Sequence, residues 1–303
     1  CSSDLVDPAS EADNFSITIL ERHDTHRRIV YGWTTTRSRY KEKLKRGLVK
    51  EGDYYKYACR KIRDLMKSFN VERIALDSQG GGVAVMEALA DKDQLEEGEE
   101  PLYPTIDPDN EKDTDHMPGK HIIEVINFAK AEWVRDANHG MRKDFEDRVL
   151  LFPEFNSALL GMAIEDDKSS GRVVVDNDDM IVERLYDTME DAMMEIEDLK
   201  DELATIVHTQ TGTSMRDRWD TPETKIAGGK KGRLRKDRYS SLLMANMVAR
   251  TMQRALPIGV FANPVGGFAN QLKGGKTDGA LYSGPQWWCD GTDTAYGVVA
   301  RRK

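Results

Sequence analysis

The sequence predicts an α/β protein: a mixed sheet flanked by helices, with a long heptad-patterned helix inserted before the last core elements. Three observations carry that expectation. Period-two apolar stretches open the chain, apolar runs then alternate with helical periodicities, and a heptad seam appears late.

The elements follow in order. Phe15, Ile17 and Ile19 in "NFSITILE" and Ile29, Tyr31 and Trp33 in "RRIVYGWTTT" alternate on either side of the polar turn "RHDTH", which reads as a β-hairpin. Tyr55, Ala58, Cys59, Ile62, Leu65, Met66 and Phe69 line one face of a helix. "VERIALD", residues 71–77, reads as a strand closing on Asp77, and Gly80, Gly81 and Gly82 separate it from a helix over 83–90. Residues 91–119, acidic and proline-bearing, read as a long surface loop. "HIIEVIN" is the next strand, followed by a helix to about Arg148 and a short strand in "VLLFP". Val182, Leu185, Met189, Ala192, Ile196, Leu199, Leu203 and Ile206 recur at steps of three and four, predicting one helix over 178–207 laid against its own domain. "HTQTGT" and "GGKKGRLRK" surround a hairpin or loop, and Lys236–Arg254 returns to helix. The expected organisation is a folded domain over 1–255 and a glycine-rich tail or arm over 256–303.

The 303 residues suffice for one large core or two modest ones, and 39% hydrophobic against 32% charged content describes a polar, soluble chain. No apolar run approaches the roughly 20 residues of a membrane helix. Cys1, Cys59 and Cys289 are few and widely spaced, which points to a reducing compartment and away from a cysteine-ligated zinc site. The opening on Cys1 rather than Met suggests a piece of something longer. The net charge of −9 is unevenly sorted: residues 91–115 hold eleven acids against two lysines, whereas residues 208–254 hold eleven Lys/Arg against four acids. A chain sorted this way can present a basic face to phosphates despite its acidic total.

The glycine-rich turn after Asp77 raises a chemical question. Such a turn between strand and helix favours an anion, yet the adjacent side chain is itself an anion, and a metal ion between the two resolves the conflict. Asp237 opens the last helix, where an N-cap role is the ordinary expectation. Asp7, in an Asp-Pro turn before "NFSITILE", is the third candidate, and Asp13 is a possible outer acid beside it. In a sheet with this element order the three positions can converge. Three adjacent carboxylates repel unless divalent cations neutralise them, and oxygen-only ligands suit Mg²⁺ or Mn²⁺.

"DPAS…D…ITILE", "RIALDSQGGG…V…AL" and "KDRYSSLLMANMVAR", with the intervening "LLFP" strand and the "DELATI" helix end, resemble the nuclease domain of the large terminase subunit of tailed bacteriophages over roughly residues 4–254. The resemblance implies a ribonuclease H-like fold and a two-metal DNA endonuclease that cuts concatemeric double-stranded DNA. It further implies Asp7, Asp77 and Asp237 as catalytic metal ligands for two Mg²⁺ or Mn²⁺ ions. Implied partners are DNA, the portal, the small terminase subunit and an amino-terminal ATPase domain, in the cytoplasm of an infected host cell. Three departures stand out: "CSSDLV" is polar for a first strand, the acidic loop and heptad helix lengthen the domain, and the tail matches nothing assignable. Arg216, Arg218, Lys230, Lys231, Arg233, Arg235, Lys236 and Arg238 are the candidate phosphate contacts. Two rival readings are another ribonuclease H-like nuclease of resolvase or transposase type, and a non-enzymatic assembly module using the heptad helix and tail.

Two motifs mislead. Gly275-Lys276-Thr277 hints at a phosphate loop, but Asn270 stands where the first glycine belongs and no apolar strand precedes it. His23, His26, His116, His121, His139 and His208 show no metal-ligand spacing and read as surface or locally bonded side chains.

Overall fold

The computed structural model describes residues 2–7, 14–79, 81–107, 109–110, 112–154, 156–175, 181–184, 187–211, 216–225, 231–233 and 235–252. For 2–7, 181–184, 211, 216, 223–225 and 231–233 it describes the backbone alone. Asp13, Gly80, Lys230 and the expected tail over 256–303 lie outside the described residues.

A seven-stranded sheet forms the centre. Its strands are β1 (Ser2–Asp7), β2 (Phe15–Arg22), β3 (Arg27–Thr35), β4 (Val71–Asp77), β5 (Leu102–Pro104), β6 (Lys120–Ile126) and β7 (Leu150–Leu151). Their spatial order is β5-β6-β4-β1-β2-β3-β7. β2 pairs antiparallel with both β1 and β3, while β1–β4, β4–β6, β5–β6 and β3–β7 pair parallel, so β2 alone runs against the other six. The sequence therefore specifies a mixed α/β sheet, as its patterning predicts.

The polar segment "SSDLVD" is a strand because it is central: pairing with β2 on one side and β4 on the other satisfies its backbone groups. Asp7 is the last residue of that strand. The 91–119 segment is more than a surface loop, because β5 extends the sheet from within it and buries Leu102 and Tyr103.

Helices cover both faces. On one face, α1 (Arg37–Lys45), α2 (Tyr54–Ser68) and α3 (Gly82–Ala90) enclose a core of Phe15, Ile17, Ile19, Tyr54, Ile62, Ile74, Leu76 and Leu89. α1 has no clear apolar stripe and sequence periodicity misses it; Thr36 caps it by accepting from Arg39 N–H at 3.1 Å. On the other face lie α4 (Ala131–Glu146), α6 (Met189–Thr205) and α7 (Asp237–Thr251), joined by Leu20, Ile29, Ala75 and Ile126 of the sheet. Between α4 and α6 the chain forms α5 (Ser157–Ser169), also missed, whose Asn156 cap accepts from Ala158 and Leu159 N–H groups.

The heptad segment needs correction. Instead of one helix over 178–207, residues Ile181–Arg184 form strand β9, paired antiparallel with β8 (Val173–Val175), and the helix starts at Met189. Its start is fixed by a capping box: Thr188 accepts from Asp191 N–H, and the Asp191 carboxylate accepts from Thr188 N–H. Of the rest of the seam, Met189, Ala192, Ile196 and Leu199 are buried within the chain itself, and Leu203 and Ile206 are partly buried against the same side. α6 crosses β3 at Gly32, where an added Cβ would stand 3.3 Å from Glu195 Cβ. Two further hairpins precede α7: β10 (Val207–Thr211) with β11 (Arg216–Asp220), and β12 (Glu223–Lys225) with β13 (Lys231–Arg233). No helix among the described residues is long and apolar enough to cross a membrane.

Candidate metal and nucleic-acid site

The sheet register brings the three predicted acids to one end. Val6 pairs with Leu76, so Asp7 and Asp77 end adjacent parallel strands side by side. Asp7 also pairs with Ser16 at the start of antiparallel β2. Asn14 immediately precedes that strand, and its N–H donates to Asp237 Oδ2 at 3.3 Å. The backbones of three residues separated by up to 230 positions thus meet at one sheet end.

Alternation decides which face Asp77 takes. Ile74 and Leu76 enter the core under α2 and α3, whereas Ala75 enters the opposite core with α7, and Asp77 shares the parity of Ala75. The half-buried carboxylate accepts from Gln79 N–H at 3.0 Å, and burial raises its pKa above the ordinary carboxylate value despite that bond. Among the described residues no Lys or Arg forms an ion pair with it.

Asp237 is the first residue of α7 and not its N-cap, which is Lys236, so the expected capping role gives way to the tertiary bond from Asn14. α7 is seated firmly behind it. Ser241 donates to Thr18 of β2 at 2.8 Å, and Asn246 donates to Asp144 of α4 at 2.8 Å. One acid escaped sequence reasoning. Glu124 pairs with Ala75, on the same face as Asp77 and two pairs further from the strand ends, and burial raises its pKa against the opposing influence of Arg73. It carried no signal because "HIIEVIN" shows only one acid in an apolar run.

The glycines do not all clear space for a ligand. An added Cβ at Gly81 would stand 2.5 Å from the Tyr55 hydroxyl and 2.6 Å from its ring, so this glycine admits a tyrosine of α2.

The basic residues divide. Arg238 is withdrawn from the phosphate set, because it ion-pairs with Glu195, Asp198 and Glu202 of α6 at 2.7, 2.8 and 2.9 Å and its side chain is only 16% exposed. Burial opposes its charge, but Glu195 and Glu202 raise its pKa above the ordinary guanidinium value. Lys236 donates to the Trp219 carbonyl at 3.0 Å and pairs with Asp220 at 3.3 Å, joining the β10–β11 hairpin to the start of α7. Arg235 bonds the Asn14 side chain and remains exposed, which leaves it beside the acidic end of the sheet. Arg218 is half exposed and pairs with Asp220 at 3.2 Å. Arg216, Lys231 and Arg233 are placed on strands β11 and β13 by their backbone alone.

The histidine reading changes for two of six. His139 of α4 and His208 of β10 meet at Asp217 of β11, a juxtaposition that no spacing reveals because 78 positions separate His139 from Asp217.

No protein-family model matches this chain, and no curated protein matches it in sequence.

Proposed function

We propose that the chain is a metal-dependent DNA endonuclease domain of ribonuclease H-like fold, the nuclease part of a phage DNA-packaging terminase. The observation that carries the reading is the arrangement of Asp7, Asp77 and Asp237 at one sheet end, on the two central parallel strands and the helix that crosses them. The donor set fits a hard divalent cation. It is all oxygen, and the described surroundings of Asp77 supply no side-chain cation to offset its burial.

In this reading Asp7, Asp77 and Asp237 hold two Mg²⁺ or Mn²⁺ ions. Such a pair, when bound, activates water and stabilises the leaving oxygen of a phosphodiester. The protein's own work is positional. Parallel pairing fixes Asp7 beside Asp77, the buried α7 fixes Asp237, and the Gln79 and Asn14 amides orient the carboxylates. Arg235, with Arg216, Arg218, Lys230, Lys231, Arg233 and Lys236, would contact phosphates without reading base sequence.

Cutting of concatemeric DNA, action with a portal, small subunit and ATPase, and residence in an infected cell rest on the family resemblance. The assembly-module rival is weakened by α6, whose seam residues Ala192, Ile196 and Leu199 are buried against the chain's own cores and are not free for a partner. The test is nicking of supercoiled plasmid by the full chain in Mg²⁺ or Mn²⁺, with Asp77→Asn as comparison. Metal-dependent nicking lost in a folded Asp77→Asn variant is expected; equal rates in both proteins would sink the assignment. Preference for branched over linear duplex would move the reading to a resolvase-type enzyme.

A further inference from the structure

A second cluster of metal-ligating side chains lies where the β10–β11 hairpin meets α4. His139 Nε2 stands 3.1 Å from Asp217 Oδ2, and His208 Nε2 stands 2.8 Å from Asp217 Oδ1. One ligand atom from each residue lies within 4.8 Å of the others. A tetrahedral zinc with ligands at ~2.0–2.1 Å separates them by roughly 3.3 Å. The two His–Asp distances are already near that edge length, and a small swing of either ring opens the centre.

Trp219 packs against both rings. His208 stacks on Trp219 with centroids 4.3 Å apart and 21° between planes, and His139 meets the same indole edge-on at 5.3 Å. Trp219 walls one side, while the half-exposed His139 leaves an entry path from solvent. Asp217 is 9% exposed and also accepts from Gln210 at 3.2 Å.

We propose that His139, His208 and Asp217 bind a single transition-metal ion of the zinc class, which pins the β10–β11 hairpin to α4. The chemistry separates this site from the one assigned to Asp7, Asp77 and Asp237. Two imidazoles and one carboxylate select zinc, cobalt or nickel, whereas an all-oxygen set selects magnesium or manganese. Three protein ligands leave further coordination to water. Both histidines bind as neutral imidazoles through Nε2, with the ring proton on Nδ1, so metal uptake replaces their bonds to Asp217. The consequence is mechanical. Trp219 and Asp220 hold Lys236, the residue before Asp237, so fixing the hairpin stiffens the segment that enters α7.

The experiment is calorimetric titration of the full chain with Zn²⁺ at neutral pH in millimolar Mg²⁺, which occupies oxygen-only sites. Cobalt titration followed by visible absorption reports the coordination geometry. The His139→Ala/His208→Ala double variant is expected to lose one zinc equivalent or weaken it at least about tenfold. Asp217→Asn should weaken the same equivalent, while Asp77→Asn should keep it. Circular dichroism checks that each variant is folded; His139 is exposed enough that its loss leaves the core intact. Unchanged zinc stoichiometry and affinity in a folded double variant, or no wild-type binding at micromolar zinc, overturns the proposal. Neither result depends on whether the chain cuts DNA.

Discussion

Asp144 tests how α7, and with it Asp237, is held. This α4 carboxylate is 9% exposed, and its Oδ2 lies 2.7 Å from Arg27 of β3, 2.7 Å from Arg250 and 2.8 Å from Asn246, the last two on α7. Replacing it with Ala affects the partners unequally. Arg250 is 32% exposed and keeps the Gly140 carbonyl at 2.8 Å, so it rehydrates. Arg27 has only 11% of its side chain exposed and cannot. Burial already lowers its pKa, and Asp144 is the principal compensation. Leaving one partner of a buried pair behind costs about 3–5 kcal/mol. At about 2–4 °C per kcal/mol for a domain of this size, Asp144→Ala should lower Tm by about 6–20 °C. Denaturant titration monitored by circular dichroism gives the free energy directly. Adding Arg27→Met removes the stranded charge and should recover about half of the loss, because an apolar side chain of similar length tolerates the site. A loss below about 1 kcal/mol, or no recovery in the double variant, would refute the claim that a stranded guanidinium carries the cost.

The remaining predictions concern the site and its neighbours. Burial raises the folded-state pKa of Asp77, so its stabilising contribution exists below the unfolded carboxyl range and is lost as pH rises through the folded value. Without divalent metal, Asp77→Asn should therefore melt above wild type at pH 7, with the gap closing as pH falls through the carboxylate range; a lower melting point at pH 7 contradicts the burial argument. Gly81→Ala forces a Cβ into the Tyr55 ring and should cost about 1–3 kcal/mol in urea unfolding, with Tyr55→Ala abolishing the further penalty of the methyl group. Arg238→Met strands Glu195 and Glu202, 14% and 11% exposed, and should destabilise by about 3 kcal/mol while leaving the salt dependence of DNA binding unchanged. Arg235→Ala should instead lower the slope of log K against log salt by about one unit, and an unchanged slope removes it from the phosphate set.

How much of this was legible in the sequence differs by element. The hairpin of β2 and β3, the strand 71–77 and helix α2 follow from local periodicity, because their alternating or helically spaced residues Phe15, Ile17, Ile19, Tyr31, Trp33, Ile62, Ile74 and Leu76 share one core. α1 and α5 were invisible, since their register is set by Thr36 and Asn156 caps and by neighbours, not by an apolar stripe. The heptad pattern overran its helix by about two turns, because Val182 and Leu185 continue the spacing while Thr188 and Asp191 cap the chain three residues further on. Periodicity counts residues and does not see a cap.

The sequence by itself determined the mixed α/β class, the strand that ends on Asp77 and the acidic residue that opens the last helix. It also nominated Asp7, Asp77 and Asp237 as a set. Only the tertiary structure placed Asp7 beside Asp77, through the parallel pairing of β1 with β4, and drew Asp237 to the same end through Asn14. Only it spent Arg238 on the acids of α6 and joined His139 to His208 across Asp217. The physical reason is the range of the interactions. Alternation and helical spacing act between residues a few positions apart and are written along the chain. Charge pairing, metal ligation and strand register act between residues separated by tens to hundreds of positions, and are fixed only when the sheet closes.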